Sequence, residues 1–271
     1  MPELPEVEVT KRGVAPHLLG CKVTSVRLGK PLRWALGCDP RALVGAKMIG
    51  LTRRGKYLLL EMDRGWLLIH LGMSGSLQWH QTTGELGPHD HFSLSTHRGE
   101  LRLHDPRRFG AVIFSTSLQD PLPAKLLGGL GVEPLRPFEN PLGLVSSLRL
   151  RKSAIKQVLL AGDWIVGVGN IYASEALFHA GIRPTTPANR LSRARALRLM
   201  DAIRMVLSRA VELGGSTLQD FVHADGHSGQ FQEHTMVYGR DDLPCRICSA
   251  RIKRVIQGQR SSYYCPKCQK S

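Results

Sequence analysis

Two residues at the start of the chain, Pro2 and Glu3, could carry out covalent chemistry. Removal of Met1 would leave Pro2 with a free secondary amine. A terminal amine has a pKa of about 8, so part of it is neutral near pH 7 and can attack an electrophilic carbon. Such an amine can form an iminium with a sugar aldehyde, and the neighbouring Glu3 carboxylate could transfer protons. The alternative is structural, because a proline and the acids Glu3, Glu6 and Glu8 are also typical of a helix start.

Four cysteines near the end of the chain have the spacing of a metal site. Cys245 and Cys248 form one Cys-x-x-Cys pair and Cys265 and Cys268 a second, with sixteen residues between the pairs. This pattern predicts one structural Zn²⁺ held by four thiolates, with a β-hairpin between the pairs. Two disulfides or a redox-active pair are the alternatives, which a reducing compartment disfavours. Residues 239–271 carry a net charge of +6, which is typical of a segment that contacts nucleic acid or another subunit.

Three further segments contain residues that could bind a ligand. Residues 105–110, Asp-Pro-Arg-Arg-Phe-Gly, could form a loop that inserts between bases, or a turn with solvated arginines. Residues 166–172 place glycines before a helical run, so that Asn170 could cap the helix or contact a phosphate, although a structural turn is the simpler interpretation. The sequence His89-Asp90-His91 could suggest a second metal site, but hydrogen bonding within the fold is favoured because no further ligands stand out.

Charge and composition limit the class of partner. The chain has 271 residues and a net charge of +15, so it has room for more than one domain and is suited to a polyanion such as nucleic acid. No apolar run approaches the length of a membrane span, and no signal peptide is visible. We therefore expect a soluble intracellular protein without a membrane partner, in which Cys21 and Cys38 are free thiols.

The pattern of apolar residues predicts the elements that hold these residues in place. A helix is predicted over 5–19, followed by closely spaced strands without helices between them, which favours an antiparallel sandwich or barrel. The predicted strands are 22–28, 47–52, 56–62, 66–73, 75–79, 91–96, 100–104 and 111–115.

The second half of the chain is predicted to contain helices and loops in place of closely spaced strands. Residues 121–150 contain five prolines and are predicted to be a connector. The clearest helix is predicted over 192–214, capped by Ser192 and ended by two glycines. Residues 216–238 are rich in glycine, histidine and serine, which predicts a mobile loop.

The order of these motifs resembles that of the bacterial formamidopyrimidine-DNA glycosylases (Fpg, MutM) over essentially the full length of the chain. The motifs are Pro-Glu-Leu-Pro-Glu-Val-Glu (2–8), Arg-Gly-Lys-Tyr (54–57), His-Leu-Gly-Met-Ser-Gly (70–75), Asp-Pro-Arg-Arg-Phe-Gly (105–110), Gly-Val-Gly-Asn-Ile-Tyr-Ala-Ser-Glu (167–175) and the four-cysteine tail. The resemblance implies an α+β multidomain fold. Its parts would be an N-terminal helix plus antiparallel β-sandwich (2–133), a linker (134–150), a helix-two-turn-helix domain with a lesion-recognition loop (151–238) and a zinc-finger β-hairpin (239–271).

The resemblance also implies a base-excision-repair enzyme. It would be a bifunctional DNA glycosylase and AP lyase that excises oxidised purines, such as 8-oxoguanine and formamidopyrimidines, through a Schiff base at Pro2. Glu3 would transfer protons, and β,δ-elimination would then cut the backbone. Lys56 would act with these catalytic residues and hold a phosphate at the lesion. The other implied DNA contacts are Asn170 and Arg260 on the backbone of the flipped nucleotide, Met73, Arg107 and Phe109 in the space it leaves, and His89.

The sequence is also compatible with two other functions. An endonuclease-VIII-like glycosylase would act on oxidised pyrimidines, but Leu4 and the set Met73, Arg107 and Phe109 favour the purine branch. A non-enzymatic zinc-ribbon DNA-binding protein would explain the charge and the cysteines but not the N-terminus. The expected partner is double-stranded DNA containing oxidised bases, bound by a monomer in the bacterial cytoplasm at the nucleoid. Residues 216–234 would cover the damaged base.

Overall fold

The computed structural model describes residues 1–216 and 229–271 of the chain. Residues 217–228, which make up most of the loop predicted to cover a damaged base, lie outside the described residues. Among the described helices, none combines the length and the apolar character that crossing a membrane requires.

The chain divides into two compact units. The first comprises Met1–Gly129 with Leu213–Gln230, and the second comprises Leu130–Glu212 with Phe231–Ser271. In the first unit, helix α1 (Leu4–Leu18) precedes eight strands. These are β1 (Ser25–Leu28), β2 (Met48–Arg54), β3 (Tyr57–Met62), β4 (Gly65–His70), β5 (Ser76–His80), β6 (Asp90–Thr96), β7 (Gly99–His104) and β8 (Ala111–Ser115). The predicted helix and all eight predicted strands are confirmed, with shifted ends.

The strands form two antiparallel four-stranded sheets, which settles the choice between sandwich and barrel. One sheet has the order β1-β6-β7-β5 and the other β2-β3-β4-β8. The main core contains apolar side chains from both sheets together with Val7, Val14 and Leu18 of α1. The predicted helix plus antiparallel β-sandwich is therefore confirmed.

The outer face of the second sheet is also covered, which explains why its strands are apolar without alternation. Leu59 and Leu68 point away from the main core and pack with Leu122 and Leu126 of helix α2 (Pro121–Leu127). Burial on both faces fixes the position of β3 and β4 and therefore of the loops at their ends.

The connector predicted over 121–150 is wrong in part, because it contains α2 and also helix α3 (Pro141–Leu148). Each helix begins with a proline, whose fixed φ suits the first helical turn. The side chain of Asn140 accepts a hydrogen bond from Gly143 N–H at 2.9 Å and caps α3. Pro121 and Pro141 therefore mark the starts of helices and not irregular segments.

The second unit continues with α4 (Ile155–Ala161), α5 (Asn170–His179) and α6 (Arg193–Glu212). The long predicted helix is confirmed as α6, and the hydroxyl of Ser192 accepts from Arg195 N–H at 3.4 Å as the predicted cap. A hairpin of β9 (Lys253–Gln257) and β10 (Arg260–Tyr264) completes the unit, and α5 packs against both α6 and β10. The predicted helices and hairpin are thus confirmed, but they belong to one compact unit and not to two separate ones.

Candidate active site and DNA interface

The N-terminus is a buried, fixed part of the first unit. Pro2 is buried, and Glu3 is only 3% exposed. Glu3 is the cap of α1, with extended backbone, and its N–H donates to Glu6 Oε2 at 2.8 Å. The helix-start interpretation of these residues is therefore confirmed. It is compatible with the catalytic one, because the cap immobilises the residue next to Pro2.

Glu8 of α1 connects the helix to the turn that carries Lys56. Arg53 at the end of β2 donates to Glu8 Oε2 at 2.9 Å and to the carbonyl of Gly55 at 3.0 Å. Burial alone would raise the pKa of Glu8, but hydrogen bonds from Lys11 and Arg53 bring it below its usual value. Glu8 therefore stays ionised and holds the β2–β3 turn.

His70, at the end of β4, is a candidate site residue that was not predicted from the sequence, although it begins the motif at 70–75. Its ring contacts the ring of Tyr57 at a centroid distance of 4.8 Å. Burial, followed by the positive charges of Lys56 and Arg33, lowers the pKa of His70 to about 4. Gly72 N–H donates to Nδ1 at 3.0 Å, so the neutral ring carries its proton on Nε2. His70 thus offers a neutral hydrogen-bond donor beside Lys56.

Met73, Arg107 and Phe109 lie on two loops that touch each other. Met73 and Phe109 are 41% and 45% exposed, so both apolar side chains are accessible to a ligand. The guanidinium of Arg107 lies 5.1 Å from the centre of the Phe109 ring. A Cβ on Gly72 would lie 2.4 Å from Gly110 N, so glycine at 72, with φ +64°, allows the two loops to meet. The structure therefore brings these three residues into one projecting surface.

Asp105 holds the two loops of this surface together. Its positioning role was not predicted from the sequence. It is fully buried, and its carboxylate accepts from Ser74 Oγ and from Gly110 N–H, both at 2.7 Å. Ser74 Oγ in turn accepts from Arg107 N–H at 3.3 Å. One buried carboxylate thus sets the position of both loops, and its place within the motif at 105–110 was the available signal.

The sequence His89-Asp90-His91 forms no metal site within the described part of the chain. Asp90 Oδ1 pairs with His104 Nδ1 at 3.0 Å, while the ring of His89 lies edge-on to that of His104. The predicted hydrogen bonding holds for Asp90 but is wrong for the ring of His91. That ring is buried, and neither nitrogen has a hydrogen-bond partner among the described residues. The His91 side chain is therefore held by packing and not by hydrogen bonds to these residues.

Asn170 is the first residue of α5, but it does not cap the helix as predicted. Gly169, in extended conformation, occupies the cap position, and Gly167 has a φ of +87°. The buried Oδ1 of Asn170 has no hydrogen-bond partner in the described part of the chain. Because Oδ1 only accepts hydrogen bonds, the groups that could donate to an anion at this helix N-terminus are the Nδ2–H group of Asn170 and the first backbone N–H groups of α5.

The four cysteines form a cluster that fits the predicted zinc ion. All are free thiols, and their sulfur atoms lie within 4.8 Å of one another. The distance is 3.9 Å between Cys245 and Cys268 and 3.4 Å between Cys248 and Cys265, close to the edges of a tetrahedron with Zn–S bonds of about 2.3 Å. A backbone hydrogen bond from Ala250 lowers the pKa of Cys248 to about 7, whereas burial raises the pKa of Cys265 and of Cys268. The cluster suits a structural metal, because four thiolates leave no position for water.

Arg260 is exposed at the start of β10, directly after the turn of the zinc hairpin. Lys156 of α4 lies beneath the next two residues and is completely buried. Its ammonium donates to the Ser261 carbonyl at 2.9 Å and to Ser262 Oγ at 2.8 Å. Arg260 and Asn170 thus belong to the second unit, whereas the other predicted catalytic and DNA-contact residues belong to the first.

Three segments of the chain match described protein families. Residues 1–112 match "Formamidopyrimidine-DNA glycosylase N-terminal domain", and residues 130–222 match "Formamidopyrimidine-DNA glycosylase H2TH domain". Residues 242–270 match "Zinc finger found in FPG and IleRS".

Whole-chain relatives agree with these matches. The formamidopyrimidine-DNA glycosylase of Variovorax paradoxus is 59% identical over 270 residues, and that of Albidiferax ferrireducens is 57% identical over 271 residues; each comparison covers 100% of both chains. A crystal structure of the MutM (Fpg) protein from Thermus thermophilus has a TM-score of 0.89 at 39% identity, over 99% of this chain and 98% of that chain. A complex of Lactococcus lactis Fpg with DNA containing an abasic site has a TM-score of 0.90 at 32% identity, over 99% and 100%.

Proposed function

The chain belongs to the formamidopyrimidine-DNA glycosylase family and is a DNA glycosylase of base excision repair, and we propose that it excises oxidised purines and then cuts the backbone as an AP lyase. The observation that carries this proposal is the buried, capped N-terminus, in which Pro2 and Glu3 are held in place. A disposable chain end would have no reason to be buried in this way.

The proposed chemistry uses the amine that removal of Met1 exposes on Pro2. The amine forms a bond to C1′ of the damaged nucleotide while the glycosidic bond breaks and the base leaves with its electron pair. Protonated Glu3 gives its proton to the departing base. The resulting carboxylate then takes the proton from the Pro2 nitrogen and passes it to O4′ as the sugar ring opens and the iminium forms. The resulting iminium acidifies the neighbouring C–H bond of the sugar, so that β- and then δ-elimination release the phosphates on both sides.

We further propose that DNA contacts come from both units. Lys56, with the neutral Nε2–H of His70 beside it, binds a phosphate at the lesion, and Asn170 and Arg260 bind the backbone of the flipped nucleotide. Flipping a base costs a few kcal/mol of stacking and pairing. The exposed side chains of Met73 and Phe109, with Arg107 stacked on the latter, are suited to offset that loss.

The remaining DNA and organisational assignments are also proposals. His89 lies on the loop before β6, where Asp105 N–H donates to its carbonyl at 2.8 Å, and contacts DNA from there. The enzyme acts as a monomer on oxidised double-stranded DNA in the bacterial cytoplasm. The proposed division is a catalytic sandwich domain (2–133), a linking segment that contains α3 (134–150), a helical domain with the lesion loop (151–238) and a zinc finger (239–271).

Borohydride trapping tests the proposed nucleophile. Reduction of the iminium should attach the processed chain covalently to an 8-oxoguanine duplex, and Pro2→Gly should keep part of this activity through its primary amine. A chain with an added N-terminal tag is the matched control and should give no adduct. Full activity with the blocked terminus would refute the role of Pro2, and the absence of any adduct with the processed chain would refute the proposed Schiff base and lyase activity.

Substrate choice is tested separately. Excision from 8-oxoguanine or formamidopyrimidine duplexes should exceed excision from duplexes with oxidised pyrimidines, and the reverse order would favour the endonuclease-VIII-like alternative. Glu3→Gln should bind DNA but lose about 10²–10⁴-fold in excision, the usual contribution of positioned proton transfer. Near-normal excision by that variant would point to another proton donor.

A further inference from the structure

Glu6 joins two segments that are far apart in the sequence. It is only 2% exposed, and its two carboxylate oxygens accept hydrogen bonds from different backbone groups. Oε2 accepts from Glu3 N–H at 2.8 Å, and Oε1 accepts from Ser216 N–H, also at 2.8 Å. A single side chain therefore connects the cap residue next to Pro2 with a segment 210 residues away.

Ser216 belongs to a pair of adjacent backbone segments, residues 214–216 and 229–230, which we call the neck. Ser216 and Gln230 form an antiparallel bridge, and Gln230 N–H donates to the Leu213 carbonyl at 3.0 Å. A Cβ on Gly229 would lie 2.3 Å from the Gly215 carbonyl oxygen, so the two backbones are in direct contact. The neck is therefore a defined structure whose position relative to the N-terminus is fixed by Glu6.

The neck packs tightly against the Glu6 carboxylate at Gly215. Gly215 has a φ of +79°, and a Cβ there would lie 2.9 Å from Glu6 Oε1. The hydroxyl of Ser216 is buried and has no partner among the described residues, so it does not hold the neck. The hydrogen bond from Ser216 N–H to Glu6 therefore orients the neck relative to α1.

We propose that Glu6 is a positioning residue that keeps the neck in register with Pro2 and Glu3, and that this register is required for base excision. The inference rests on the proposed function, because it concerns the step in which Glu3 and Pro2 act on a nucleotide that still carries its base. Lyase action on an abasic site has no base to hold next to Glu3. Loss of the register should therefore slow excision far more than it slows strand cleavage at an abasic site.

Glu6→Gln is the direct test, because a carboxamide has one acceptor oxygen and its NH₂ group would face the second N–H. One backbone N–H then loses its acceptor, which typically costs about 1–3 kcal/mol and corresponds to roughly a 5- to 150-fold effect. We expect kcat for 8-oxoguanine excision to fall by about tenfold or more, while KM and abasic-site cleavage change by less than about threefold. Gly215→Ala, which pushes on the same carboxylate, should give the same pattern.

Thr10→Val is the matched control. Thr10 is a fully buried polar residue of α1 whose hydroxyl donates to the backbone carbonyl of Glu6 at 2.8 Å, so the substitution removes a bond to the backbone of Glu6 and not to its carboxylate. This variant should lower the melting temperature but leave the ratio of excision to abasic-site cleavage unchanged. Hydrogen exchange supplies a readout independent of activity, since the Ser216 amide should lose protection in Glu6→Gln and keep it in Thr10→Val.

The outcomes separate the two proposals. If wild type gives no borohydride adduct, the proposed function fails whatever Glu6 does, and the loss of Ser216 protection still tests the positioning role. Equal losses of excision and abasic-site cleavage in Glu6→Gln, or an unchanged Ser216 amide, would overturn the proposal. A selective loss of excision together with faster exchange at Ser216 would support it.

Discussion

Replacement of Lys156 by methionine should loosen the zinc hairpin without removing its metal. The substitution keeps most of the aliphatic stem but removes the ammonium that donates to Ser261 and Ser262. Both the lysine and Ser262 are completely buried, so water cannot replace the lost donor without opening the structure. Because Arg260 precedes these two residues, its direction depends on the same contact.

The size of the effect follows from the number of bonds lost. Hydrogen bonds to a charged group contribute about 1.5–3 kcal/mol each, and each acceptor left buried without a partner costs about 1–3 kcal/mol. Part of this loss is offset because the variant no longer has to desolvate an ammonium ion. We expect a net destabilisation of about 3 kcal/mol, which for a domain of this size lowers the melting temperature by roughly 6–12 °C.

Thermal unfolding, zinc content and DNA binding should be measured on the same samples. Lys152→Met, at an exposed position of the same segment, is the control and should behave as wild type. In a double-mutant cycle, Lys156→Met and Ser262→Ala should be coupled by about 1 kcal/mol or more, because each removes one partner of the same bond. A melting temperature within about 2 °C of wild type, or strictly additive effects, would refute the assigned role of Lys156. Loss of zinc would show that the hairpin had unfolded as a whole.

Three other predictions concern the metal, a phosphate contact and acid stability. Zinc removal, or Cys248→Ser, should abolish lesion binding while the sandwich stays folded, because so small a hairpin depends on its metal; lesion binding by zinc-free protein in a mobility-shift assay would contradict this. Arg260→Ala should keep zinc but weaken binding and reduce the salt dependence by about one phosphate contact, and an unchanged slope would exclude that contact. Burial would raise the pKa of Glu100, but hydrogen bonds from partners that include Arg27 and Arg102 bring it from 4.5 to about 2. Because the folded pKa is depressed, this stabilisation is fully present above about pH 4.5 and is lost as the pH falls through about 2. Glu100→Gln should therefore be less stable than wild type in urea at neutral pH, with a difference that shrinks towards pH 2; a constant difference would contradict the assignment.

The sequence by itself determined those features that depend on short-range spacing. The two Cys-x-x-Cys pairs specify a tetrahedral site because each pair supplies two ligands from one tight turn. The strands of the sandwich and α6 follow from apolar periodicity, since each must bury one face. Pro2 and Glu3 were identifiable because a secondary amine beside a carboxylate has a definite chemistry wherever it is held.

Only the tertiary structure decided which distant groups are partners. Glu6 was expected to be one of several acids at a helix start, yet its carboxylate reaches Ser216, 210 residues away. His70, Asp105 and Lys156 were likewise not recognised as positioning or binding residues. A buried polar group must find a partner, but its type does not say which backbone amide or carbonyl the fold will bring within hydrogen-bonding distance. That choice depends on how sheets, helices and loops pack, and this is why the register between the N-terminus and the neck could not be read from the sequence.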